Sequence, residues 1–218
     1  TPIGRVVEVA RGTLRVAGLE TVARQGDRVV IDGRLGGEVL TLSRDGATIL
    51  ADGPVDGLAI GCEVALTGAA GIAPDDNWIG RIVDPYGRPM DGRALFRGPV
   101  MRPLQAEAPA AALRRRMGGR ISTGVAIFDT LLPLVRGQRM GLFAGSGVGK
   151  SSLLAKFARG VDADVVVIAL VGERGRELRE FVEEVLGEEG MARSVVIAAT
   201  SDQSPLTRRR CAWAAMTV

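Results

Sequence analysis

Residues 144 to 152 read AGSGVGKSS. Alternate glycines followed by a lysine and two hydroxyls suit a loop whose successive backbone N–H groups converge on one anion, with a helix N-terminus adding its positive dipole end. The pattern G-x-x-x-x-G-K-[ST] has a glycine where this chain has Ala144, which is tolerable if that position only closes a strand with a small residue. Gly145, Ser146, Gly147, Val148, Gly149, Lys150, Ser151 and Ser152 are therefore the candidate nucleotide contacts. In that role Lys150 reaches the outer phosphates and the Ser151 hydroxyl ligates Mg²⁺. The alternative is an ordinary strand-to-helix turn that matches by composition. Of the 28 basic residues only Lys150 and Lys156 are lysines, so a chain that otherwise uses arginine keeps a compact ammonium at the loop.

Hydrolysis also needs a group that orients water beside the terminal phosphate, and open α/β sheets bind ligands at the carboxyl ends of their strands. GERGRE, residues 172 to 177, follows such an end. Glu173 is the candidate general base, with Arg174 and Glu177 placed to hold its geometry or contact phosphate. Spacing alone leaves open that Glu173 is only an acid favoured at a helix start. Asp202, after SVVIAATS, is the one acid placed to organise a metal shell, but SDQSP reads better as a turn and cap.

These residues require a strand before the loop, a helix after it and a second strand that delivers Glu173. QRMGLFA at 138–144 predicts the first strand, SSLLAKFARG the helix, and DVVVIALVG a strand covered on both faces. In ERGRELREFVEEVLGEEG, Leu178, Phe181, Val182, Val185 and Leu186 recur at helical spacing. RSVVIAAT predicts a third buried strand, and Ser204 with Pro205 an N-cap and first helical position. Residues 71–218 thus read as an α/β domain with a mostly parallel sheet. Before it, GRVVEVA, TLRVAGL, DRVVID, GGEVLTL, ATILAD and CEVAL are six short strands with glycine-bearing turns, which predicts a small closed barrel over residues 1–70. GAAGIAPDDNW marks the boundary, IGRIVDPYGRPMDG a strand entering a Pro/Gly turn, and RGPVMRPLQAEAP an extended connection.

The whole chain of 218 residues contains no histidine, which excludes Ser-His and Cys-His nucleophiles and His-ligated metals. Two isolated cysteines, Cys62 and Cys211, read as reduced structural thiols. No apolar run reaches the roughly 18 residues of a membrane span and no signal peptide opens the chain, so a cytoplasmic protein is expected. The start at Thr1 and the uncapped helical ending CAWAAMTV read as cuts at both ends of a longer protein.

RGQRMGLFAGSGVGKSSLLAKFAR, DVVVIALVGERGRE and ARSVVIAATSDQSPLTRRR together closely resemble the flagellar protein-export ATPases. These are type III secretion ATPases, relatives of the catalytic subunit of rotary ATP synthases. The likeness runs through the barrel as well. It implies a P-loop (RecA-like) α/β fold, truncated here and carrying a Walker A loop after an all-β barrel. It also implies ATP and Mg²⁺ as ligands, Glu173 as the catalytic glutamate, and catalytic roles for Lys150 and Arg174. By the same resemblance the complete protein is a homohexamer, a hydrolase engaged in protein transport for bacterial flagellum biogenesis. Its implied partners are export-gate membrane proteins, a stator-like regulatory protein and export chaperones. Its implied place is cytoplasmic, in peripheral association with the inner-membrane export apparatus. The Mg²⁺-organising aspartate, the arginine finger and the adenine pocket of the family would follow Val218, leaving this piece alone nearly inactive.

The virulence-secretion ATPase is the near alternative. A ring-shaped RNA translocase is a more distant one, with Arg114–Arg116 and Arg208–Arg210 as its basic runs. Against nucleic acid, residues 1–70 hold no Phe, Tyr or Trp on which bases could stack, and carry seven arginines against nine acids.

Overall fold

The computed structural model describes residues 1–145 and 147–218. Its first part is a closed barrel of β1 (Ile3–Ala10), β2 (Thr13–Ala17), β3 (Asp27–Ile31), β4 (Leu35–Ser43), β5 (Gly46–Ala51) and β6 (Glu63–Ala69). The strands close in the order β1-β2-β5-β4-β3-β6, all antiparallel. All six expected strands are present. Alternation drives the closure, because one face of each strand sends Val6, Leu14, Val16, Val29, Ile31, Val39, Ile49 and Val64 into a shared core. Each of these side chains contributes about 1.5–3 kcal/mol by leaving water. Gly4 is required by close approach, since a Cβ there would lie 2.7 Å from the Ala17 carbonyl oxygen.

The chain leaves the barrel through β7 (Gly71–Ile72) and a short 3₁₀ turn, Asp76–Trp78, that buries Trp78. Next come β8 (Arg81–Val83), β9 (Arg102–Pro103), which pairs with β7, and β10 (Arg120–Ile121), which pairs with β11 (Leu134–Val135). A five-residue helix, α1 (Ala126–Thr130), joins the last two. β8 ends in the expected turn, where the Gly87 N–H donates to the Asp84 carbonyl at 3.0 Å. Around it Arg81 clamps Asp91 through Nε at 2.5 Å and Nη2 at 2.7 Å.

The central sheet is parallel, in the order β12-β13-β8, with β12 spanning Val166–Val171 and β13 spanning Ser194–Ala199. Every residue of β13 is buried. One face packs on α2 (Lys150–Gly160) and on α3 (Gly175–Glu180) with its continuation; the other packs on α5 (Pro205–Thr217). Cys211, on the buried face of α5, is enclosed and Cys62 is half-buried; both are free thiols, as expected.

Three expectations are corrected by the structure. Segment 138–144 forms no strand among the described residues, and its side chains stand exposed, Phe143 at 95%. Apolar content cannot supply the ladder partner that a strand needs. β12 is covered unequally on its two faces: Ile168 and Leu170 are buried, whereas Val167 and Val171 remain 37% and 46% exposed. Finally, the helix after Glu173 is not uniform. It widens to a π turn over Phe181–Leu186 and restarts as α4 (Gly187–Met191), with Gly187 at φ 67°.

Candidate functional site

The loop is shaped by its glycines. Gly147 has φ 77° and Gly149 φ 90°, left-handed conformations that only glycine takes without strain, and α2 starts at once with Lys150. A Cβ on Gly145, Gly147 or Gly149 would meet nothing within 4 Å, so the loop's concave side opens on space. Lys150, Ser151 and Ser152 are exposed there, beside the first-turn amides of α2 that have no intrahelical partner. Ser146 lies outside the described residues.

Opposite the loop, β12 runs into Gly172 and Glu173. Two bonds hold this bend: the Gly172 N–H donates to the Ala199 carbonyl at 2.7 Å, and the Ser201 N–H donates to the Glu173 carbonyl at 3.0 Å. α3 then begins behind a one-sided cap, in which Glu177 accepts both bonds from Arg174. The Arg174 N–H donates to Glu177 Oε2 at 3.2 Å and its guanidinium to Oε1 at 2.9 Å. Those bonds, the backbone one foremost, hold the Glu177 carboxyl below its ordinary range, with the Glu173 side chain adding to the effect.

Between the two walls lies a cleft of about 460 Å³. Gly145, Gly147, Gly149, Lys150, Ser151 and Ser152 form one wall, and Glu173, Glu177 and Glu180 face them. Leu170, Phe181 and Val185 complete the apolar part of the lining. An ammonium, hydroxyls and open amides on one side, with carboxylates on the other, fit a Mg²⁺-polyphosphate and a water beside it. Val148 and Arg174 are not drawn into the cleft: Val148 is 67% exposed and Arg174 is engaged with Glu177. Asp202 is also outside it. The Thr200 hydroxyl, with its own backbone amide, holds its carboxyl low, which is the turn role. Among the described residues no three His, Cys, Asp or Glu gather as a metal-binding group.

Leu170, Glu180, Phe181 and Val185 were missed as site residues. Glu180 follows Glu177 by three positions and so shares its helix face, a signal present in the spacing. The π turn that carries Phe181 and Val185 left no such trace.

The sequence matches the ATP synthase alpha/beta family twice, its beta-barrel domain over residues 2–68 and its nucleotide-binding domain over residues 124–218. The chain belongs to the ATP synthase alpha/beta family. Within it, this member is 43% identical over 225 residues to the Flagellum-specific ATP synthase of Caulobacter vibrioides, covering 100% of this chain and 50% of that protein. It is 42% identical over 217 residues to the Type 3 secretion system ATPase of Xanthomonas euvesicatoria, covering 96% and 48%. In three dimensions it matches the assembled ATPase EscN in complex with its central stalk EscO, from the enteropathogenic E. coli type III secretion system. The TM-score is 0.90 at 34% identity, over 98% of this chain and 53% of EscN. The chain spans about half the length of the curated relatives it matches.

Proposed function

We propose that this chain is the barrel and nucleotide-binding half of an ATPase that energises protein export through the flagellar type III secretion apparatus. The observation that carries the reading is the single cleft in which Lys150 and Ser151 face Glu173. Relatives about 40% identical over nearly the full chain are named flagellum-specific ATP synthase and type 3 secretion system ATPase, which supports the flagellar and secretion context.

In this reading the amides of Gly145, Gly147 and Gly149 and the Lys150 ammonium bind the phosphates. Ser151 offers its hydroxyl to Mg²⁺, which when bound neutralises charge building on the outer phosphates. The Glu173 carboxylate accepts a hydrogen bond from the attacking water and orients it. Arg174 acts at one remove, by fixing Glu177 beside Glu173. The acids that line the cleft, Glu173, Glu177 and Glu180, all follow β12, and among the described residues no three His, Cys, Asp or Glu gather as a metal-binding group. We therefore assign weak Mg-nucleotide binding and slow turnover to this chain by itself. An arginine finger supplied by a neighbouring subunit is worth about 10³–10⁵-fold in phosphoryl-transfer rate.

The complete protein is assigned as a homohexamer acting with export-gate proteins, a stator-like regulator and export chaperones. EscN's assembled form with its stalk supports an assembled state. No helix among the described residues is long and apolar enough to cross a membrane, which accords with peripheral association at the export apparatus. Glu173→Gln in the complete protein tests the base assignment. Mg-ATP binding should persist while phosphate release falls by about 10²–10⁴-fold, the usual worth of a positioned base. Turnover at the unaltered rate would remove Glu173 from the role.

A further inference from the structure

The barrel and the nucleotide-binding unit meet on a polar cluster for which the ATPase reading has no use. At its centre is Tyr86, at the tip of the turn after β8. Its ring stacks with three guanidiniums: Arg28 of β3 and Arg210 of α5 at 4.7 Å from the ring centroid, and Arg88 at 5.4 Å. Its hydroxyl lies 2.8 Å from Asp52 Oδ1, beyond β5 of the barrel, and 3.1 Å from Thr207 Oγ1 in the first turn of α5. Asp52 is itself paired with Arg28.

Donor counting fixes the direction of this chain of bonds. A carboxylate only accepts, so the single phenolic proton goes to Asp52. Tyr86 Oη must then accept from the Thr207 hydroxyl. That leaves Thr207 Oγ1, 3.0 Å from Ser204 Oγ, to accept from the serine, while Ser204 Oγ accepts the Thr207 N–H at 3.2 Å as the N-cap of α5. Each bond polarises the next toward the Asp52 charge. Burial, reinforced by that charge, pushes the phenol up to about 12, so the proton that orders the series is present at neutral pH.

The series ends where the candidate base is held. Ser204 closes the short turn from Thr200, in which the Gln203 N–H donates to the Thr200 carbonyl at 3.1 Å. Within that turn the Ser201 N–H holds the Glu173 carbonyl at 3.0 Å. One turn further along α5, the Arg208 side chain lies 3.8 Å from where a Cβ on Gly172 would stand. The start of α5 therefore touches both the barrel's anchor and the Gly172–Glu173 bend.

We propose that Tyr86 is a positioning residue that transmits the placement of the barrel, through Thr207 and the cap of α5, to the bend carrying Glu173. The kinetic part of this rests on the ATPase reading; the structural coupling does not.

Tyr86→Phe keeps the ring and its cation contacts and removes only the hydroxyl. In the complete protein, amide exchange at Ser201 and Gly172 should accelerate about tenfold, the fold-change corresponding to one lost hydrogen bond, while barrel amides keep their protection. Steady-state ATPase kinetics should show kcat reduced several-fold with KM for Mg-ATP unchanged, because the phosphate loop lies outside the path. Thr207→Val breaks the same series from the α5 side, and the double variant should add nothing to either single change. If Tyr86→Phe does not fold, Thr207→Val carries the exchange test alone. Unchanged Ser201 exchange in both variants, uniform loss of protection through the barrel, or additive effects in the double variant would overturn the proposal. An exchange shift in a protein whose unaltered form shows no ATP turnover would uphold the coupling and remove the ATPase reading instead.

Discussion

Arg210 and Glu38 form an ion pair across the joint between barrel and α5, and the two partners are unequally buried. Arg210 Nη1 lies 3.0 Å from Glu38 Oε2; the arginine side chain is 2% exposed and the glutamate 14%. The pair therefore breaks asymmetrically. Glu38→Ala leaves a guanidinium that water cannot reach, near the like charge of Arg28 and with its Nε already lacking a partner. Removing one member of a buried pair in this way costs about 3–5 kcal/mol. Arg210→Met also removes one member, but it fills the same space with an apolar chain and leaves a carboxylate that keeps a path to solvent, so the smaller cost of a stranded acceptor applies, about 1–3 kcal/mol. For a protein of this size the first variant should lose about 6–20 °C in Tm and the second less, about 2–12 °C. Chemical denaturation of both variants, with the double variant to close the cycle, measures the difference. An Arg210→Met loss equal to or larger than that of Glu38→Ala would refute the argument, because it would show that the joint depends on the pair's attraction and not on avoiding a stranded charge.

Two other outcomes follow from the structure. Lys150→Ala removes the ammonium from the cleft and should weaken Mg-ATP binding by about ten- to 100-fold, the worth of a charge-assisted hydrogen bond, with Tm unaffected because the side chain is exposed; calorimetric titration reads it. Alkaline stability should fall in two stages. Burial raises the Cys211 thiol from 9.0 to about 11 and the Tyr86 phenol from 10.0 to about 12. In each interval the unfolded chain releases a proton that the folded one keeps, so stability is intact below pH 9 and declines up to about pH 12. Cys211→Ala should flatten the lower part of that decline and Tyr86→Phe the upper part. A decline unchanged in both variants would contradict these assignments.

Local pattern carried much of this protein. Val and Ile alternation with glycine turns specified all six barrel strands, because a two-residue period and a tight reversal are properties of neighbouring residues. The turn before α2 was legible for the same reason, since Gly147 and Gly149 take backbone conformations set within the loop itself. Ser204 and Pro205 likewise announced the start of α5. Segment 138–144 was misread because its apolar residues say nothing of whether a partner strand lies alongside, and β12 because covering a face takes residues far away in the chain.

Residue types and short spacings therefore determined a glycine-rich loop opening a helix, an acid after a buried strand, and a barrel ahead of both. Tertiary structure alone decided that Glu173 and Lys150 line one cleft, that Glu180 and a widened helical turn line it too, and that Arg174 turns to Glu177 instead of entering. It also decided the joint in which Asp52, Tyr86, Thr207 and Arg210 meet, the last two more than 120 positions after the others. Those contacts depend on how separate elements pack, and packing is a relation between distant residues that a pattern of neighbours does not encode.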